Sequence, residues 1–288
     1  MNDIKICVLG GDLRQLSAIQ TMYKKGYDVK VFGIDENIPE AKKANSLKEA
    51  VYGCSLILLP LPFSADGIRI FCPLSCEDIK LDDLASLLTD GQIVAGGKFT
   101  TGFCKKLTEK GCKILDYYTS ERLSILNAIP TAEGALAIAM NELKITIFGS
   151  KCAVVGYGRI GKILSKMLKK LDSDVTVFAR SEEALTWAEA DGVNAVNIKE
   201  MAEYICDKHI IFNTVPSMVI DRSVLDKTKN NVIIIDLASA PGGVDFEYAK
   251  KTNKKVIFAL SLPGKVAPET AGNIIANTVI SKVSEVYL

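Results

Sequence analysis

Ten short runs of β-branched and other apolar residues recur along the chain, each followed by an amphipathic segment. This alternation restricts the fold more than any other feature. In the first half the runs are IKICVL, DVKVFG, SLILLP, QIVAGG and KILDYY; in the second they are KCAVVG, DVTVFA, HIIFNT, VIIIDL and KVIFAL. Their hydrophobicity is continuous rather than alternating, which predicts strands buried on both faces, hence parallel sheets covered by helices. The pattern occurs twice. The expected fold class is therefore α/β, with two doubly wound, Rossmann-like parallel-sheet domains joined by hinge helices.

A chain of 288 residues, 48% of them apolar, is long enough for two cores without disulfides or metals. Residues 1–128 are expected to form a first domain, 129–150 a connecting helix and hinge, and 151–270 a second domain. In NAIPTAEGALAIAMNELKITIFGS, Pro130 precedes a helix-forming run that begins near Thr131, and Gly149 ends the stretch after that run. The last segment, ETAGNIIANTVISKVSEVYL, predicts a helix with apolar positions Ile274, Ile275, Val279, Val283 and Val286. Its part from 271 to 288 is expected to pack back on the first domain. The stretch LPGKVAPETAG just before it predicts one irregular loop. The cleft between the two domains is the expected ligand site.

The most informative turn lies in CAVVGYGRIGKILSKML, where Gly156, Gly158 and Gly161 follow a buried strand and open a helix over 159–170. In that context Gly156 makes the tight turn, Gly158 lets the backbone approach a pyrophosphate, and Gly161 lets helix and strand pack closely. The segment Gly156, Tyr157, Gly158, Arg159, Ile160 and Gly161 is thus the candidate phosphate cradle, its helix amides holding the anion. An NAD site would end the next strand, DVTVFARSEEA, with a carboxylate for the ribose hydroxyl. Here stand Ala179, Arg180 and Ser181, a guanidinium and a hydroxyl suited to a 2′-phosphate, which makes NADP the expected cofactor. Thr214, Val215 and Pro216 in FNTVPS, and Ala238 and Ser239 in IDLASAPGG, lie at strand carboxyl ends and should border the ribose and nicotinamide. Asp236 fits a site residue and a strand-end cap equally.

An earlier stretch, ICVLGGDLRQLSAI, has the same layout with different residues. Gly10 aligns with Gly156, but Asp12 falls opposite Gly158 and Gln15 opposite Gly161. A carboxylate at that point repels a pyrophosphate, and the longer Gln15 side chain blocks close helix packing. The first domain therefore has nucleotide-binding architecture without the chemistry. Gly11, Asp12 and Arg14 become candidates for a different anion, a small acidic substrate held by a free guanidinium and helix amides. Lys98 after a strand end, Asn127, Thr131 and Glu133 at the connecting helix, and Lys265 and Pro268 in the late loop are further polar candidates. Lys98, Glu133, Lys265 and water are the candidate proton acceptors, and the sequence does not choose among them. Arg69 and Arg122 carry no motif. His209, the single histidine, precedes its strand and is expected at the non-ligand edge of the sheet.

Other classes are disfavoured. With 35 basic and 34 acidic residues there is no footprint for nucleic acid or an anionic membrane. No apolar stretch is expected to reach the ~18 residues of a membrane span, and the N-terminus enters a strand-like run without a signal-peptide region. The eight cysteines have no zinc spacing, so no metal is expected and the thiols should be reduced, in a cytoplasmic setting.

The stretches GGDLRQL, NAIPTAEGA, VVGYGRIGK with VFARS, and LPGKVAPETAG resemble the family of the dipicolinate synthase A subunit along the whole chain. More distantly, the layout is similar to D-2-hydroxyacid dehydrogenases, alanine dehydrogenase and adenosylhomocysteinase. The resemblance implies NADP-dependent oxidation of a dihydrodipicolinate-type intermediate of the lysine pathway, or of its hydroxy-tetrahydro form, to dipicolinate. It also implies the flavoprotein-like B subunit of dipicolinate synthase as partner, and the mother cell of a sporulating bacterium as location. A homo-oligomer is the expected assembly. A dehydrogenase of another small oxo or imino dicarboxylate, and a non-catalytic NADP-binding protein that needs a partner, are the alternatives.

Overall fold

The computed structural model describes residues 4–287. Two compact units result: one from the chain up to Asn127 together with the segment from Ala267 on, the other from Ala128–Val266.

In the first unit β1 (Lys5–Leu9), α1 (Leu13–Lys24), β2 (Asp28–Phe32), β3 (Lys42–Lys43), α2 (Leu47–Val51) and β4 (Leu56–Leu58) come first. They are followed by α3 (Leu81–Leu87), β5 (Ile93–Gly96), α4 (Thr101–Glu109) and β6 (Lys113–Asp116). The helix α5 (Glu121–Glu142) leads into the second unit. There β7 (Lys151–Val155), α6 (Arg159–Lys170), β8 (Asp174–Ala179), α7 (Glu182–Ala190), β9 (Asn194–Asn197), α8 (Met201–Tyr204) and β10 (Ile210–Asn213) follow. The chain ends with α9 (Arg222–Leu225), β11 (Ile233–Asp236), α10 (Phe246–Lys251), β12 (Lys255–Phe258), α11 (Leu262–Val266) and α12 (Pro268–Tyr287).

Each unit holds a six-stranded parallel sheet, in the orders β3-β2-β1-β4-β5-β6 and β12-β11-β10-β7-β8-β9. In both, the strand order reverses beside the first strand, β1 or β7, which is where an open α/β sheet collects ligands at its carboxyl edge. The continuous apolar runs are explained by burial on both faces. Ile6 and Val8 enter one hydrophobic layer and Cys7 and Leu9 the other; Cys152 and Val154, then Ala153 and Val155, repeat this in the second unit. Each fully buried aliphatic side chain contributes about 1.5–3 kcal/mol. All ten apolar runs are strands. The two the sequence did not reveal, β3 and β9, are edge strands too short and polar to carry a hydrophobic signal.

Three local expectations are corrected. Helix α5 begins at Glu121, not near Thr131, and Pro130 lies inside it. Proline is a helix-start signal only where nothing overrides it; here the hydroxyl of Ser120 accepts the Leu123 amide, and Leu123, Ala128 and Pro130 are buried. The stretch 262–272 is not one irregular loop but the short α11 and the start of α12, where Pro268 takes the first helical position that needs no amide hydrogen. Third, one apolar stretch does reach the length and hydropathy of a membrane span: α5, with 22 residues. Alanines spaced along it enter a core (Ala132, Ala135 and Ala139), which accounts for that hydropathy.

Helix α12 packs on α1, joining Ile274, Ile275, Val279 and Val283 to Ala18, Ile19 and Met22 in one core. The Val286 side chain lies outside the described residues. Cys7, Cys54, Cys112 and Cys152 are buried and all eight thiols are free. Among the described residues no cluster of His, Cys, Asp and Glu could hold a metal ion.

Candidate functional site

In the second unit, Gly156 follows β7 with φ +95°, and a Cβ there would run into Thr214 and Val215. A Cβ on Gly161 would strike the Gly156 carbonyl, so helix and turn touch backbone to backbone. Gly158 is different. Its φ is an ordinary −84° and nothing lies within 4 Å of the position its Cβ would take. The fold itself does not require glycine there; open space beside it is what a close-approaching ligand requires. As the N-cap of α6, Gly158 offers no side-chain hydrogen bond, and the first turn carries no acidic residue. The amides of Tyr157 and Gly158 find no acceptor among the described residues. The result is a helix N-terminus without a side-chain cap, at the carboxyl edge of a parallel sheet, with these two amides at the positive end of its dipole.

The loops beside this turn are locked. Asp236, fully buried at the end of β11, accepts from the Ala238 amide (3.1 Å), the Gly243 amide (2.8 Å) and the Asn213 side-chain amide (2.8 Å). Asn213 also donates to the Val215 carbonyl (3.0 Å) and accepts from its amide (3.1 Å). The loop carrying Thr214, Val215 and exposed Pro216 is thereby tied to the one carrying Ala238 and exposed Ser239. Asp236 is the strand-end cap of the two roles open to it.

Arg180 is exposed at the end of β8. Ser181 is the N-cap of α7, its hydroxyl oxygen accepting the Ala184 amide at 3.2 Å and keeping its own hydrogen to donate. The Tyr157 side chain is not available to a ligand. It is buried in the core, its hydroxyl donates to Asp191 at 2.7 Å, and burial first, then that carboxylate, pushes its pKa up. Only its backbone faces the turn. Glu133 and Lys265 are exposed, and no hydrogen bond or ion pair among the described residues joins either to the turn. Thr131, in the second unit, is half-buried.

The first unit repeats the geometry and closes it. Asp12, the N-cap of α1, has φ −97° and ψ −166°, against −84° and −157° at Gly158. Its carboxylate accepts the Arg14 amide at 3.1 Å. The expectation of a free guanidinium is corrected here: Arg14 is 9% exposed, its Nε and Nη2 donate to Asp12 at 2.8 and 2.7 Å, and Nη2 also donates to the Leu61 carbonyl. Only Nη1 is without a partner among the described residues. The Gly11 amide, equivalent to that of Tyr157, donates to the Phe71 carbonyl at 2.7 Å. The thiol of Cys72, its pKa pushed up to about 11 by burial, lies against Gly10. Gln15 is buried, its side chain folded over Gly11.

Lys98 follows β5 and has φ +66°. Its amide and that of Phe99 donate to Asp116 at 3.2 and 3.1 Å. Sequence reasoning missed Asp116, although its place at the end of an apolar run matches that of Asp236. Asn127 and Pro268 belong to this unit and are half-buried. His209 lies at the opposite, amino edge of the second sheet, where its Nδ1 accepts the Lys151 amide at 2.9 Å; burial lowers its pKa.

A six-stranded parallel sheet with a glycine-rich turn at its carboxyl edge is the architecture of a dinucleotide-binding domain. Residues 131–247 match the family described as D-isomer specific 2-hydroxyacid dehydrogenase, NAD binding domain. Residues 5–118 match the family of the N-terminal domain of the dipicolinate synthase A subunit. The A subunit of dipicolinate synthase from Bacillus subtilis (strain 168) is 31% identical over 99% of this chain and 98% of its own. The crystal structure of that protein superposes with a TM-score of 0.90 over 100% of this chain and 98% of that one. The corresponding structure from Bacillus halodurans also gives 0.90, at 28% identity and 97% of each chain. A solved L-alanine dehydrogenase shares the fold at 15% identity and a TM-score of 0.68, over 97% of this chain and 89% of that one. The chain belongs to the family of the dipicolinate synthase A subunit.

Proposed function

We propose that this chain oxidises dihydrodipicolinate, or its 4-hydroxy-tetrahydro form after loss of water, to dipicolinate with NADP as hydride acceptor. The observation that carries the reading is the pair of Tyr157 and Gly158 amides, which find no acceptor among the described residues, beside the open space at Gly158. The names of the relatives point to the product.

The backbone from Gly156 through Tyr157, Gly158, Arg159 and Ile160 to Gly161 holds the pyrophosphate. Arg180 and Ser181 bind the 2′-phosphate, by guanidinium and hydroxyl hydrogen respectively. Thr214, Val215, Pro216, Ala238 and Ser239 border the nicotinamide, fixed by the Asn213–Asp236 pair. When bound, the cofactor supplies a hydride acceptor. In the first unit the Nη1 edge of Arg14, set by Asp12, takes a substrate carboxylate, with Asn127 and Pro268 as further contacts. Oxidation of dihydrodipicolinate removes one hydride and one proton; Glu133, Lys265 or water takes the proton. Aromatisation supplies the driving force, so the main tasks of the protein are orientation and exclusion of water. The chain is expected to work with the B subunit of dipicolinate synthase, as a homo-oligomer, in the cytoplasm of the mother cell.

The test mixes purified chain with NADP and freshly generated dihydrodipicolinate and follows NADPH and dipicolinate absorbance together. Matched appearance of both, well above the spontaneous rate, is expected. Tight NADP binding without turnover contradicts the reading and leaves a cofactor-binding protein that needs its partner for chemistry.

A further inference from the structure

We infer that Lys98 is a second carboxylate-binding residue, and that Asp116 is the positioning residue that holds it at the ligand edge of the first sheet. This rests on the dicarboxylate reading above and deepens it, since Arg14 offers one guanidinium edge and a dicarboxylate carries two anionic groups.

Lys98 adopts φ +66°, a left-handed conformation that an L side chain reaches only at a cost, and such outliers persist where the surroundings impose them. Asp116, at the end of the neighbouring strand β6, imposes this one. Its two carboxylate oxygens accept the amides of Lys98 (3.2 Å) and Phe99 (3.1 Å), and Oδ1 also accepts the Tyr118 amide (3.0 Å). The turn so made sends the Lys98 Nζ to 4.8 Å from the centre of the Tyr118 ring. An aromatic face steadies an ammonium without neutralising it, and no carboxylate pairs with Nζ among the described residues. Lys98 is thus an exposed cation with no carboxylate partner among the described residues, on a backbone that Asp116 holds.

Lys98 and Arg14 belong to the same carboxyl edge of the sheet and share one neighbour. The guanidinium donates to the Leu61 carbonyl, and the side chain of the same Leu61 packs on Gly97, the residue before Lys98. Leu61 therefore links Arg14 to the residue before Lys98, at the carboxyl ends of β1, β4 and β5, which are adjacent in the sheet. A turn built only to end a strand would take glycine at the left-handed position; lysine there gives up that ease and presents a charge.

The test measures binding of pyridine-2,6-dicarboxylate and pyridine-2-carboxylate to the NADPH-loaded protein, in the natural chain and in Lys98→Gly and Lys98→Asn. Both variants tolerate positive φ, so they should fold, with Lys98→Gly equal or higher in Tm. The natural chain is expected to prefer the dicarboxylate by about tenfold or more, as for one added charge-assisted contact. In both variants that preference should fall to near one, with NADPH affinity unchanged. Asp116→Asn should reduce it in part while leaving Lys98 in place, a change that a purely structural aspartate would not make. A natural chain that discriminates and a Lys98→Gly variant that discriminates equally would overturn the assignment of Lys98 while leaving the dicarboxylate reading standing. A natural chain that binds neither acid would overturn both.

Discussion

The two glycine turns have nearly the same backbone and opposite chemistry. Gly10 and Gly156 both have positive φ and both donate their amide to the end of the adjacent strand, at Phe32 and Phe178. The N-caps Asp12 and Gly158 have nearly the same φ and ψ. From there they part. In the first unit the donors are used up within the protein, by the Asp12 carboxylate and the Phe71 carbonyl. In the second they are left for a ligand. A turn of this shape is therefore a place where an anion is needed, and the sequence decides whether the chain supplies one or borrows it from a cofactor.

The largest expected consequence concerns the internal anion. Asp12→Ala removes the cap of α1 and leaves the nearly buried Arg14 without its partner, which should cost about 3 kcal/mol. Chemical denaturation would show it as a lower midpoint at unchanged slope. The same variant should gain no nucleotide affinity, because Phe71 and Cys72 still lie against the turn. Measurable NADPH binding by the first unit of that variant would break the comparison.

Next comes the cofactor's ribose. Arg180→Ala should weaken NADP binding about tenfold to a hundredfold and leave NAD binding nearly unchanged. Fluorescence titration with both reduced cofactors checks this, and equal losses would remove Arg180 from the site.

A smaller effect separates the ligand edge of the second sheet from its far edge. Burial lowers the His209 pKa below the ordinary 6.5, so the folded state holds the neutral ring. The unfolded chain then binds the proton more readily. The associated stability is complete above pH 6.5 and is lost as the pH falls from there through the folded pKa. Melting temperature should decline over that window in the natural chain and less so in His209→Gln, with cofactor affinity the same in both.

Much of this was legible in the sequence. The ten apolar runs, the intact fingerprint and the altered one follow from residue type and spacing alone, since parallel strands and close backbone approach leave few substitutes. The polar contacts were not legible. That Asp116 and Asp236 hold neighbouring loops, or that the Arg14 guanidinium is held by the Leu61 carbonyl, depends on which strands become adjacent, and short local windows do not carry that. The α5 helix runs through Pro130 because burial on both sides outweighs the local proline signal. Two short edge strands left no signal at all.

The most direct test of the central contrast places the first unit's residue into the second. Gly158→Asp should fold with Tm unchanged or slightly raised, because nothing lies within 4 Å of the new Cβ and the carboxylate caps α6. Titration with NADPH should give one site per natural chain, and an affinity lower by about 100-fold or more in the variant, from a carboxylate placed against the pyrophosphate. A well-folded Gly158→Asp that binds NADPH as tightly as the natural chain would contradict the account.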